Sequence, residues 1–494
     1  MINEFTVTDK LHEISTDCLA ILLFKDEELP EEFKELNEAL GEQITHLLKS
    51  KEFGGEEGKS VILYASKKPF KRVLLIGGGE KEKASLETLR IFGGEAIRKA
   101  RELKLNELTL HLRIIDSPEK SLAAVAEGAL LANYGWGKKE LNLIEKINIV
   151  SNKEVKDFES ILKEVGIISE AVAIGRDLAN GPANEINPET FEEKIKEIFQ
   201  GLPVSIKVLR YEDLKKEGLN GIISVGKGSD IPPRLVIIEY RGNKENPAWH
   251  AVVGKGVCFD AGGLDLKSAT SMLQMKFDKS GASYAAAIAY ATAKLGLKIN
   301  LVALLPLVEN LPSGKSYKPL DIIKMYNGLT VEVHNTDAEG RLILADSLAY
   351  AEKNYHPETI IDLATLTGSI IVALGNQGAG LFTNNEDLKN KLLRVAEETG
   401  ERVWPMPLWK EFYEDLKSDF ADIKNLGIGR AGGAIAAAAF LSKFVEKTKW
   451  AHLDIAGTAW VQEEGPRKPY YPKGATGYSI RLVLKYLKDI AKLK

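Results

Sequence analysis

Short apolar runs rich in Val, Ile and Leu alternate with longer stretches of good helix formers along most of the chain, an alternation that confines it to the α/β class. Strands are expected over Cys18–Phe24, Ser60–Tyr64, Arg72–Ile76, Glu107–Leu112 and Lys146–Val150, with a helix over Leu86–Leu103. Glu154–Leu178 reads as one long helix, after which NGPANEINP breaks the pattern. Further strands are expected near Ser205–Leu209, Leu235–Tyr240, His250–Val253, Asn300–Leu305, Thr330–His334 and Thr359–Leu363. A single core rarely grows beyond roughly 250–300 residues. The 494 residues therefore divide into a smaller domain over 1–153, a linker helix and connection over 154–187, and a larger domain over 188–494.

Composition narrows the function classes. The 66 basic and 70 acidic residues give a net charge of −4, which offers no general attraction to nucleic acid or to an anionic membrane. Cys18 and Cys258 are too few for a disulfide framework, and MINEFTVTDKLHEIS lacks the basic start and apolar run of a signal peptide. No apolar stretch approaches the ~20 residues that cross a bilayer. The expectation is a soluble, cytoplasmic protein.

Chemistry concentrates in NTDAEGRL, Asn335 to Leu342, between a β-branched run ending at His334 and the helical pattern of LILADSLAYAEKNY. Open α/β sheets place ligand sites at such junctions. If the segment stays extended, Asp337, Glu339 and Arg341 project to one side of the chain. Taken alone, each would belong on a solvated face. A second cluster changes the weighing: the run His250–Val253 leads into GKGVCFDAGGLDLKS, whose glycines fold Lys255, Asp260 and Lys267 towards one centre. Asp278 follows in LQMKFDKSGASYAAAIAYATAKLG, which reads as a strand turning into an Ala-rich helix.

Four carboxylates in one cleft would repel one another and take up protons unless a cation neutralised them, so the economical reading is a metal site. Two divalent ions sharing carboxylates suit the count. Oxygen ligands alone favour magnesium or calcium, whereas an added neutral lysine amine points to zinc, manganese or cobalt. The seven histidines form no HExxH motif, and His334 reads as a structural strand-end residue. Cys258 has no histidine near it in sequence and reads as a packing residue. Gly77-Gly78-Gly79 lacks the spacing of a phosphate loop and reads as a turn.

These residues carry a resemblance to the leucine aminopeptidases, the cytosol aminopeptidases of peptidase family M17. NTDAEGRL matches the family signature, and VGKGVCFDAGG, MKFDKSGA, ENLPSG, DLATLTGSIIVALG, AHLDIAGTAW and GATGY are similar to family segments. The match covers about 180 to 490; the first domain resembles the family in size and α/β character only. The resemblance implies two α/β domains, the larger one catalytic, with a mixed sheet flanked by helices. It implies two divalent metal ions per subunit, manganese or zinc, with cobalt and magnesium as further candidates. Asp260, Asp337 and Glu339 would hold one ion and Lys255 and Asp278 the other, with Asp260 and Glu339 bridging. Lys267 and Arg341 match the catalytic positions, Arg341 holding a bicarbonate ion as general base, and Met275, Thr365, Leu366, Gly368 and Ala456 match the side-chain pocket.

The implied activity is removal of an N-terminal residue, leucine-like by preference, from peptides with a free amino terminus, by a homohexamer. The sequence departs from the usual pattern at Leu320, where glycine is common, at Ser268, at Asp265, which adds a carboxylate, and at Lys279-Ser280. The rival readings are a DNA-binding or regulatory role, alongside peptidase activity or in its place, and a different two-metal hydrolase such as a phosphoesterase.

Overall fold

The computed structural model describes residues 4–8 (backbone only), 16–65, 70–137, 142–427, 429, 431–461 and 468–492. Its contacts divide the chain into one unit of residues 1–170 with 466–472 and a second of 171–465 with 473–494.

In the first unit β1 (Glu4–Thr8), β2 (Thr16–Leu23), β3 (Ser60–Tyr64), β4 (Phe70–Gly77), β5 (Glu107–His111) and β6 (Lys146–Val150) form one sheet in the order β1-β6-β5-β2-β4-β3. Every pairing is parallel except β3 with β4. The near-continuous apolar runs of β2 and β4 follow from burial on both faces. The three glycines after β4 form a packed turn: Gly78 N–H donates to Leu23 O, Gly79 N–H to Gly55 O, and a side chain on Gly77 would collide with the backbone at Glu56. No phosphate cradle is left there.

In the second unit the strands among the described residues are β7 (Val204–Leu209), β8 (Arg234–Arg241), β9 (Trp249–Gly254), β10 (Gly256–Asp260), β11 (Asn300–Asn310), β12 (Ile322–Lys324), β13 (Thr330–Glu332), β14 (Thr359–Ala364), β15 (Ala379–Thr383), β16 (Val403–Pro405), β17 (Ile423–Lys424), β18 (Lys449–Asp454) and the short antiparallel pair β19 (Trp460–Val461) and β20 (Gly474–Ala475). A mixed sheet runs β16-β15-β18-β14-β9-β11-β8-β7, with β10 also paired to β11. The fully buried β11 pairs β9 along its first half and β10 along its second. The strands β9 and β10 are separated by the single residue Lys255. Helix Ser280–Lys294, buried from Ser280 to Ala293, packs on β9, β11 and β14; small residues (Ala, Gly and Ser) at most of its positions permit that close approach.

Three local expectations change. LQMKF is not a strand: Met275–Lys279 is a single 3-10 turn that leads directly into helix Ser280–Lys294. The segment GVCFD, expected as glycine-governed loop, is β10. The β-branched run at 330 belongs to a separate small sheet, β12-β13-β17, and its strand stops at Glu332, although Val331 and Val333 are both fully buried as expected.

Candidate metal centre

Four stretches of the second unit deliver charged side chains to one place. Lys255 sits at the β9–β10 junction, its N–H donating to Leu363 O and its carbonyl accepting from Ala282 N. Asp260 ends β10, Asp278 lies in the 3-10 turn, and Glu339 is the residue before helix Gly340–Tyr355. The DAEGR segment is not extended. Glu339 already has helical backbone angles, so Asp337, Glu339 and Arg341 converge through a tight turn instead of by strand alternation.

All twelve residues singled out from the sequence line one cleft of ≈ 960 Å³: Lys255, Asp260, Lys267, Met275, Asp278, Asp337, Glu339, Arg341, Thr365, Leu366, Gly368 and Ala456. Lys255 Nζ lies 2.7 Å from Asp278 Oδ1, 2.9 Å from Glu339 Oε1 and 2.9 Å from the carbonyl of Thr365. Lys267 Nζ lies 2.8 Å from Asp260 Oδ2 and also pairs with Asp337. Oxygens of Asp260, Asp337 and Glu339 all lie within 4.8 Å of one another.

The electrostatics follow from burial. Lys255, Asp260, Asp278 and Glu339 are each buried. Burial, then the charges of Glu339 and Asp260, push Asp337 up to about 7. Burial raises Asp260 and Asp278 as well. Burial opposes the charges of Lys255 and Lys267, but the carboxylates around them outweigh it and hold both ammonium groups well above their usual range. Four carboxylates against two ammoniums leave a formal excess of two negative charges. Among the described residues Asp278 Oδ2 has no hydrogen-bond partner, and Asp337 Oδ1 and Glu339 Oε1 meet only the ion-paired ammoniums of Lys267 and Lys255. Buried oxygens with unused lone pairs, a negative excess and an amine in the same cluster fit divalent cations.

Arg341 is buried too. Its Nη1 donates to Asn425 O at 2.7 Å, while its Nε has no partner. Burial pulls it down to about 10, which leaves it a cation at neutral pH. The side-chain pocket combines Met275 from the 3-10 turn, Thr365 to Gly368 from the end of β14 and Ala456 from the end of β18.

The remaining sequence candidates lie elsewhere or do other work. His334 pairs with Glu332 and does not line the cleft. Cys258 is fully buried, and burial pushes its thiol up to about 12, far from a nucleophile's range. Asp265 braces the turn: its Oδ2 accepts from Thr336 N at 2.7 Å and pins the GGLDL loop to the 335–339 turn. A second cleft, of ≈ 590 Å³ beside His250 and His356, contains none of the predicted residues.

Sequence reasoning missed neutral side chains that brace the cluster. Asn310 Nδ2 donates to Asp260 Oδ1 and to Thr336 O, and Tyr317 O–H donates to the same carbonyl. Asn425 bonds the 334–338 turn from the far end of the domain sequence. The one available signal was Asn310 itself, which with Glu309 closes the apolar run Leu301–Val308. Apolar cleft walls at Ile371, Val372, Met406 and Trp460 were also unanticipated.

Two family models match the chain: the catalytic domain of the cytosol aminopeptidase family over residues 173–484, and the N-terminal domain of the same family over residues 20–138. The N-terminal match extends the resemblance into a domain where the sequence motifs had given only size and class. A probable cytosol aminopeptidase of Geotalea uraniireducens is 42% identical across 93% of this chain and 94% of its own. One from Cenarchaeum symbiosum is 41% identical across 89% and 90%. Among solved structures, a mutant of tomato leucine aminopeptidase superposes with a TM-score of 0.88 at 31% identity, covering 99% of this chain and 96% of that one. The bottromycin maturation enzyme BotP in complex with Mn superposes with a TM-score of 0.84 at 30% identity, covering 96% and 100%.

Proposed function

Because the chain belongs to the cytosol aminopeptidase family, we propose that it is a two-metal aminopeptidase that removes leucine-like residues from the free amino end of peptides. The observation that carries the reading is the meeting of Lys255, Asp260, Lys267, Asp278, Asp337, Glu339 and Arg341 in one cleft.

Asp260, Asp337 and Glu339 would hold one cation and Lys255 and Asp278 the other, with Asp260 and Glu339 shared. Two divalent ions bound there supply Lewis acidity, lowering the pKa of a shared water and polarising the scissile carbonyl. To ligate, Lys255 Nζ has to give up the proton that the carboxylates now stabilise, so metal uptake weakens as pH falls. Lys267 keeps its proton, and its ammonium stabilises the developing oxyanion. Arg341, with its Nη1 held by Asn425 O and its Nε unpartnered, would seat a bicarbonate, which would supply a general base beside the metal turn. Met275, Leu366 and Ala456 give the side-chain pocket an apolar wall, which favours leucine-like residues by only ~1–3 kcal/mol per methylene.

A homohexamer acting in the cytoplasm on short peptides completes the proposal by similarity to the family. No helix among the described residues is long and apolar enough to cross a membrane. The DNA-binding alternative finds no support in the comparisons. The test is hydrolysis of leucine p-nitroanilide by protein stripped with a chelator and reloaded with manganese, zinc, cobalt or magnesium, beside an amino-blocked analogue. Metal-restored cleavage of the free-amine substrate alone is expected; cleavage of the blocked analogue at an equal rate, or none with any metal, would overturn the reading.

A further inference from the structure

Asn425 is fully buried and follows directly on β17, which pairs with β13. Its backbone N–H donates to Glu332 O at 3.0 Å, anchoring it beside the strand that leads into the metal turn. Its side chain then bonds both edges of that turn. Oδ1 accepts from His334 N at 2.7 Å and Asn335 N at 3.3 Å, while Nδ2 donates to Asn335 O at 2.8 Å and Ala338 O at 3.4 Å. Its carbonyl accepts from Arg341 Nη1 at 2.7 Å. No other contact orients that guanidinium among the hydrogen bonds of the described residues, and Nε stays unpartnered and buried.

One amide therefore ties the turn carrying Asp337 to the group that directs Arg341 into the cleft. The geometry points to Asn425 as a positioning residue for Arg341: it sets where the guanidinium stands relative to the metal turn, and so where an anion held by Arg341 meets the reacting water. The inference rests on the role given to Arg341 above. Losing the side-chain bonds lets residue 425 and its carbonyl shift against the turn, and misplacement by about 1 Å costs up to ~100-fold in rate.

The test is a double-mutant cycle in the manganese-loaded full-length protein. Asn425→Ser, Arg341→Ala and the double variant are compared in kcat and KM for leucine p-nitroanilide, with manganese stoichiometry by calorimetry and the unfolding midpoint measured for each. Asn425→Ser is expected to lower kcat ~10–100-fold with little change in KM. In the Arg341→Ala background the same substitution should change kcat by no more than about twofold, because its route to the chemistry has gone. An equal fold loss in both backgrounds, or no loss in either, overturns the inference. If Asn425→Ser fails to fold, the near-isosteric Asn425→Asp, which opposes two carbonyls with a carboxylate oxygen, enters the same cycle with the same criteria. Full turnover by Arg341→Ala alone would remove the anion-seat reading itself, and the inference with it; impaired turnover with an additive cycle removes the inference only.

Discussion

Gly340, the first residue of the helix after Glu339, is the place where one methyl group separates fold from function. By helix propensity alone, Gly340→Ala should stabilise the protein by about 1 kcal/mol. A Cβ there, however, would overlap Lys255 Cε and lie 2.8 Å from its Cδ and Nζ. Carbon contacts settle near 3.5–4.0 Å, so the Lys255 side chain has to retreat by roughly 1 Å. It has no room to do so freely: it is buried, and its ammonium is held between Asp278 at 2.7 Å and Glu339 at 2.9 Å. Breaking a buried pair of this kind costs on the order of 3–5 kcal/mol. The metal-free variant should therefore lose roughly 2–4 kcal/mol after the propensity gain is subtracted. Urea unfolding of chelator-treated protein measures this, and manganese calorimetry should show weakened binding in the ion site that uses Lys255 and Asp278. An increase in stability of about 1 kcal/mol with unchanged manganese binding would refute both the packing argument and the assignment of Lys255.

Other substitutions probe separate parts of the account. Lys267→Ala should lower kcat by ~100–1000-fold while manganese stoichiometry is preserved, because the lost donor serves the oxyanion and not the ions; loss of metal instead would reassign it as a ligand. Leu320 has φ +69° and an exposed side chain, so Leu320→Gly should raise stability by about 1 kcal/mol in chemical denaturation, with activity unchanged; destabilisation would contradict the backbone argument. His111, on β5, is buried, and burial and then Arg113 push it down to about 4. The unfolded chain takes up this proton below about 6.5 and the folded one only near 4, so stability falls as pH drops through that window, by on the order of 3 kcal/mol. His111→Leu should flatten that slope in thermal unfolding; an unchanged slope would place its origin elsewhere.

What was legible in the sequence was whatever carries a strong physical penalty when misplaced. Apolar runs such as Arg72–Ile76 and Thr359–Leu363 are strands because both faces are buried. Lys255, Asp260, Asp278 and Glu339 stood out because charge beside glycine-rich strand ends is costly without a partner. Asn310 and Asn425 sent no such signal: an amide is acceptable on any surface, and its value appears only when distant backbone carbonyls reach it. The 3-10 turn at Met275 and the early helix at Glu339 were hidden for a related reason, since side chains tie them to distant segments, Lys279 Nζ to Gly181 O and Asn425 Nδ2 to Ala338 O, and local periodicity carries no trace of that. The small sheet behind Thr330 likewise depends on Ile423 and Lys424, far along the chain.

The most direct measurement is anomalous diffraction at the manganese edge from crystals of metal-loaded protein. The account predicts two peaks per chain, roughly 3.5–4 Å apart, with Asp260 and Glu339 in contact with both. A single peak, or peaks away from Lys255, Asp278 and Asp337, would contradict it.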